Sequence, residues 1–187
     1  STYLEKKVKR LEQEEREEEA RDKTIEQIAA DPQAVRMGQR IFANNCSVCH
    51  GSDARGSIGF PNLTDADWIY GGTPEAIHAT LVNGRQAAMP PWEAALGDQG
   101  VTNVARYVRT LSGAEPASAE SAAGEAQFKM LGAPNLTDNI WLYGGDLETI
   151  KHALRKGRNG KMPAFGEQLN EDKIRLLTAY VYSLSNQ

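Results

Sequence analysis

Long apolar runs are missing from this chain, and so is any supply of cysteine. No run of about 18 or more apolar residues occurs in it, so nothing in the sequence spans a bilayer as a helix. The only two cysteines both fall within Cys46-Ser47-Val48-Cys49, which excludes a disulfide framework as the main stabiliser. No secretory leader is visible at the N-terminus. The chain opens inside a charged helix, and we expect a mature or excised piece with any membrane anchor upstream. Basic residues do not dominate: 21 Lys and Arg face 25 Asp and Glu, a formal net charge of -4, which argues against nucleic acid as a partner. What is present, 187 residues with 40% apolar and 7% aromatic, is enough for one large domain or two small ones. A mean hydropathy of -0.53 implies much exposed polar chain.

Residues 3 to about 30 are highly charged, with Leu4, Val8 and Leu11 at helical spacing ahead of an almost wholly acidic stretch from Glu12 to Glu19. This reads as a solvent-exposed helix, either a solvated linker or one whose short apolar stripe takes a partner surface. Asp31-Pro32 stops it or caps the next helix, since proline fits only a first turn. A second helix, from about Pro32 to Asn44 with Val35, Ile41 and Phe42 apolar, runs into the cysteine pair. The small, polar stretch from Gly113 to Ala123 reads as an interdomain linker.

An internal repeat organises the rest. Pro61-Asn62-Leu63-Thr64-Asp65 recurs as Pro134-Asn135-Leu136-Thr137-Asp138, an offset of 73 that holds without a gap for about fifty residues. Trp68 maps to Trp141, Tyr70-Gly71-Gly72 to Tyr143-Gly144-Gly145, Gly84-Arg85 to Gly157-Arg158, Met89-Pro90 to Met162-Pro163 and Tyr107-Val108 to Tyr180-Val181. The domains expected are therefore a charged helical segment over 1–31, a first copy over 32–113, a linker over 114–123 and a second copy over 124–187. Upstream of the shared block the copies diverge. Phe42 lies 19 residues before Pro61, whereas Phe128 lies 6 before Pro134, so the second copy is 13 residues shorter where a Cys-x-x-Cys-His would stand.

Cys46-Ser47-Val48-Cys49-His50 reads as a c-type haem attachment motif. Two intervening residues let both thiols add to the vinyl groups on one porphyrin edge, and the adjacent histidine is then held under the iron. A thioredoxin-like pair would want a βαβ context, which is absent. A structural zinc site would want a second ligand pair, and His78 is the only other histidine in the first copy. Met89, 39 residues after His50 in a glycine-bearing loop closed by Pro90, is the candidate for the opposite axial position; the alternative for a methionine is core packing. A His/Met pair suits electron transfer, because the soft sulfur favours the ferrous state and raises the potential.

The order of helix, Cys-x-x-Cys-His-Gly, Pro-Asn-Leu, Met-Pro and a final helix from Val104 to Leu111 resembles a class I cytochrome c. With Pro-Asn-Leu-Thr-Asp, Trp-x-Tyr-Gly-Gly and Gly-Arg-x-x-x-Met-Pro in both halves, residues 33 to 187 resemble the dihaem cytochrome subunit of cbb-type (C-family) haem–copper oxidases. The resemblance implies an all-α fold of two tandem class I cytochrome c-like domains behind the charged N-terminal helix. It implies an electron carrier, not an enzyme, that relays electrons from a soluble donor cytochrome c toward the catalytic and other cytochrome subunits of a respiratory oxidase. It implies a tether to the inner membrane through an upstream anchor, on the periplasmic side. Carried over by position, Pro61 would offer its carbonyl to the Nδ1–H of His50, with Asn62 and Leu63 beside it in the pocket. Arg85 is either a propionate contact or a surface arginine. Trp68 and Tyr70 pack either on the haem or in the core.

The second half departs from this pattern. It keeps the Trp141 to Gly145 block and Met162, a ligand if a haem is present there, but no cysteine pair precedes them. His152 is expected to be exposed and not a ligand. One haem c is expected from these residues, and a second only if a segment is missing. Three explanations stay open: a natural deletion with repacking, an engineered one, or an omitted segment. Two other functions remain as alternatives: a haem enzyme such as a peroxidase, which needs an open axial site, and a non-redox assembly module.

Overall fold

In the computed structural model, residues 2–19, 21–129 and 136–186 are described. Pro134 and Asn135 lie outside the described residues, as does the segment 130–135 that adjoins the expected place of a second attachment motif. The elements are α1 (Tyr3–Glu19), α2 (Ile25–Ala29), α3 (Pro32–Asn45), α4 (Ser47–His50), α5 (Pro74–Asn83), β1 (Arg85–Met89), α6 (Glu93–Leu111), α7 (Ala119–Phe128), α8 (Leu147–Lys156), β2 (Arg158–Met162) and α9 (Glu171–Ser185). The chain is mostly helical, and no helix among the described residues is long and apolar enough to cross a membrane.

The helices begin where side chains can satisfy free N–H groups. Asp31 caps α3 with Pro32 in its first turn, Thr73 caps α5, and Asp146 caps α8. The charged N-terminal stretch is two helices, not one running to residue 30. Thr24 forms a capping box with Gln27, starting α2 afresh, and Ile25 and Ile28 of α2 are buried. The Gly113–Ala123 stretch is helical from Ala119, because Ser118 forms a second capping box with Ser121 and the alanines that follow favour helix. The first copy's last helix is longer than Val104–Leu111: it starts at Glu93 and kinks at Gly97, whose φ is 67°.

The mostly helical fold also carries one short two-stranded ladder among the described residues. The Gly-Arg-x-x-x-Met stretches form β1 and β2, which pair, with Gln86 donating to Asn159 at 2.6 Å. Gly84 and Gly157 end the preceding helices at positive φ (68° and 70°), sending the chain into extended backbone whose polar groups then need a partner strand.

Two compact units form, and they interleave the sequence copies. One comprises residues 1–85 with 162–187, the other residues 86–161. In the first, α9 packs against α2, α3 and α5. Phe42, Cys46, Ala54, Ile77, Leu81, Phe165, Ile174, Leu177, Tyr180 and Val181 make its core. Gly38 lets α3 approach so closely that a Cβ there would collide with the Leu176 carbonyl, and Phe165 N–H donates to Leu81 O at 2.9 Å. In the second, α6 packs against α7 and α8 around Val101, Val104, Ala105, Val108, Ile150 and Leu154. Gly124 makes the matching close approach to Asn103, and Trp92 N–H donates to Leu154 O at 2.7 Å. Apart from the packing of α2 on α9, these contacts have repeat counterparts in the other unit. The helix that opens each copy packs with the helix that closes the other copy.

Candidate haem-attachment site

The site is built at the end of α3. Cys46 is the C-cap of that helix and starts the single turn of α4, which ends at His50. The turn is closed by backbone bonds from the N–H groups of Cys49 and His50 to the carbonyl of Cys46. The following loop folds back on it: Gly56 N–H donates to His50 O at 2.7 Å, Ser57 Oγ to Cys49 O at 3.2 Å, and Leu63 N–H to Ala54 O at 2.8 Å. Gly56 has φ 76°, and a side chain there would strike the backbone at Phe60 and Pro61.

This loop brings the Pro61 carbonyl 3.0 Å from His50 Nδ1. A carbonyl only accepts, so Nδ1 must carry the proton, and the Nε2 lone pair is left for a metal. His50 is buried, and burial holds its pKa below 6.5 against the opposing pull of the Pro61 bond. The ring is therefore neutral near pH 7, the form that coordinates. Cys46 is a buried free thiol whose pKa is pushed up to about 11, by burial first and by Cys49 second; Cys49 is free and half-buried.

The remaining residues named from sequence fall as follows. Asn62 Oδ1 accepts from the N–H and hydroxyl of Thr64 at 2.8 and 2.7 Å, so it shapes the loop. Leu63 and Trp68 pack against the core that contains Cys46, with the Trp68 indole lying on Gly72 where no Cβ has room. Tyr70 is partly exposed, and the Arg85 guanidinium stacks on its ring at 4.6 Å. Arg85 Nε donates to Thr80 Oγ1 at 2.9 Å, a partner that sequence reasoning missed because a threonine inside a helix carries no motif. His152 is exposed on α8.

The two methionines part company. Met162 packs against the core that contains Cys46 and Phe42, while Met89 packs against the core of the other unit, with Trp141 and Leu136. The unit that holds His50 thus contains Met162, and Met89 belongs to the other unit. The reason lies in the interleaving: β1 leaves the first unit after Arg85, and β2 re-enters it at Met162.

Residues 33–108 and 119–181 match the family described as Cytochrome C oxidase, cbb3-type, subunit III. The chain belongs to this family. Members similar to it include the Cbb3-type cytochrome c oxidase subunit CcoP of Rubrivivax gelatinosus, 45% identical over 86% of this chain and 58% of that protein. The subunit FixP of Azorhizobium caulinodans is 38% identical over 86% of the chain and 64% of its own length. CcoP of Cereibacter sphaeroides is 38% identical over 84% and 64%. The chain thus spans about three fifths of the length of these relatives. The cbb3 subunit III family accounts for both copies of the repeat, since its two matched ranges cover one each.

The donor set fits a c-type haem. Two free thiols flank a single helical turn, and a neutral imidazole presents its Nε2 with Nδ1 already engaged. Val48 in this turn and Ile58 and Phe60 in the loop that folds back on it are exposed apolar side chains, a setting an apolar macrocycle matches.

Proposed function

We propose that this chain is an electron-transfer module of a cbb3-type oxidase, working through one covalent haem c attached at Cys46 and Cys49 and ligated by His50. The observation that carries the reading is the Pro61–His50 bond, which sets the tautomer and orientation of the proximal ring inside a Cys-x-x-Cys-His turn. When bound, the haem supplies a one-electron Fe(II)/Fe(III) couple. The chain's own residues do the rest. The Cys46 and Cys49 thiols would anchor the haem, His50 Nε2 would bind its iron, and a methionine thioether would be the second protein ligand, raising the potential.

For that thioether we take Met162, because it packs with the core that holds Cys46. Met89 then serves the other unit, residues 86–161, which hold no cysteine pair. With His50 and a methionine as its protein ligands, a haem held here would supply electron exchange rather than substrate chemistry. By analogy with its relatives the module works beside the catalytic and other cytochrome subunits of an oxidase. It takes electrons from a donor cytochrome c on the periplasmic side of the inner membrane, to which an upstream anchor tethers it.

Intact-mass spectrometry with a reduced pyridine haem spectrum tests this. One haem mass per chain, lost in the Cys46→Ala, Cys49→Ala double variant, is expected. Haem retained covalently in that variant overturns the assignment.

A further inference from the structure

The two halves present the same arginine in two different settings. In one, Arg85 stacks on Tyr70 at 4.6 Å while its Nε donates to Thr80 Oγ1, and the Thr80 hydroxyl in turn donates to Ala76 O at 2.8 Å. In the other, Arg158 stacks on Tyr143 at 4.3 Å, but the residue standing where Thr80 would be is Ala153. The Arg158 Nε is buried without a hydrogen-bond partner. One hydroxyl separates the two settings.

The consequence for Arg85 is mechanical. Its ring contact fixes the plane of the guanidinium and its Nε bond fixes the rotation within that plane. Its two terminal nitrogens have no hydrogen bond or ion pair among the described residues. A guanidinium held in this way presents a pre-oriented fork, and the acceptor that matches a fork is a carboxylate. The anionic groups of a c-type haem are its two carboxylates. We propose that Thr80 is a positioning residue: by locking Arg85 it sets the ionisation of a haem carboxylate, and through it the potential of the His50 iron. This rests on the haem reading above.

The direction of the effect follows from charge. A fixed cation beside a carboxylate stabilises its ionised form and lowers its pKa. Fixed positive charge near the iron also favours the ferrous state. Removing the hydroxyl leaves Arg85 on the Tyr70 ring, as Arg158 stays on Tyr143 beside Ala153, but frees it to rotate within that plane, so the fork no longer holds its direction and both effects weaken.

The test is spectroelectrochemical titration of the haem-loaded chain across pH, with the haem mass checked first. Thr80→Val is expected to shift the pH-dependent limb of the midpoint potential to higher pH and to lower the potential above that limb. Thr80→Ser should restore the parent curve, and Arg85→Lys, which keeps the charge but loses the fork and the Nε donor, should behave like Thr80→Val. Ala153→Thr should leave the potential of the His50 haem unmoved. A Thr80→Val protein that carries its haem and melts differently, yet titrates like the parent, reduces Thr80 to a structural role and overturns the proposal. If Thr80→Val does not fold, Arg85→Lys carries the same comparison, and a parent-like curve there overturns it equally. Absence of covalent haem in the parent chain would instead remove the underlying haem reading, and the two failures are told apart by mass.

Discussion

The ring of Phe42 meets the ring of Tyr180 edge-on, with centroids 5.4 Å apart. Phe42 lies on the helix that opens the first copy, and Tyr180 on the helix that closes the second. The mirrored pair, Tyr107 with Phe128, repeats the geometry at 5.3 Å. Both tyrosines occupy the same place in the repeat, so each aromatic of an opening helix has chosen the closing helix of the other copy. The same exchange puts Met162, not Met89, into the unit that holds His50.

A double-mutant cycle reads this exchange directly. Phe42 is fully buried, and Phe42→Ala should cost about 3–5 kcal/mol in urea unfolding. Phe42→Leu combined with Tyr180→Leu should reveal a coupling of about 0.5–1.5 kcal/mol beyond additivity. Phe42→Leu combined with Tyr107→Leu should be additive. Coupling in the second cycle and none in the first would return the copies to separate, unexchanged packing.

The methionines give a spectroscopic counterpart. In haem-loaded protein, Met162→Ala should abolish the charge-transfer band of thioether-ligated ferric haem almost completely, lower the potential and let carbon monoxide bind the ferrous form. Met89→Ala should leave the spectrum of the His50 haem unchanged. The reverse pattern would assign the sixth position to Met89.

Much of this was legible in the residues. Although the Pro61 contact came from the family resemblance and not from the residues alone, the attachment turn follows from local chain order, since Cys-x-x-Cys-His is one continuous motif. Asp31-Pro32 marked the start of α3 for the same reason: capping is a local event. Which closing helix packs on which opening helix was not legible. Val101, Val104 and Val108 on α6 and Ile174, Leu177 and Val181 on α9 present nearly the same apolar face at the same repeat positions. Duplicated faces carry no label, so pattern alone could not tell an exchanged pairing from a sequential one. Thr80 was hidden differently, since its role depends on the guanidinium that folds back onto it.

Acid should weaken the haem-free chain in two separate steps. His50 is buried with its pKa held below 6.5, so the unfolded state takes up the proton first as pH falls. Its contribution is complete above 6.5 and is lost below that value, until the lower folded pKa is reached. Asp172 is held below 3.8, first by its side-chain bond to Arg21, at 2.8 to 3.0 Å, against a smaller opposing effect of burial. Its contribution is complete above 3.8 and is lost below it, as pH falls through the depressed folded value. Urea midpoints followed from about pH 7.5 to about pH 2.5 should therefore show an upper step removed by His50→Asn and a lower one reduced by Asp172→Asn, with Asp146, held low by its bonds to Thr149, supplying part of the remainder. An upper step that survives His50→Asn would show that another group titrates there.

Gly38 offers the sharpest test of the α3–α9 packing. In an ordinary exposed helix, Gly→Ala stabilises by up to about 1 kcal/mol, because alanine loses less backbone entropy on folding. At Gly38 a Cβ would collide with the Leu176 carbonyl and stand 2.6 Å from Tyr180 Cβ, and both neighbours belong to the helix α9. Neither a backbone carbonyl nor a Cβ can swing aside, so the helices must separate. Gly38→Ala should then destabilise by about 1–3 kcal/mol. Gly160→Ala, where nothing lies within 4 Å of the added Cβ, supplies a near-neutral control. Separating α9 from α3 also loosens the seat of Tyr180 beside Phe42, at the head of the helix turn that carries Cys46 and His50. The Gly38→Ala protein should therefore lose its methionine-ligated spectrum at lower urea than its helical circular dichroism. Coincident loss of the two signals, or a stabilised variant, would mean that α9 does not brace this site.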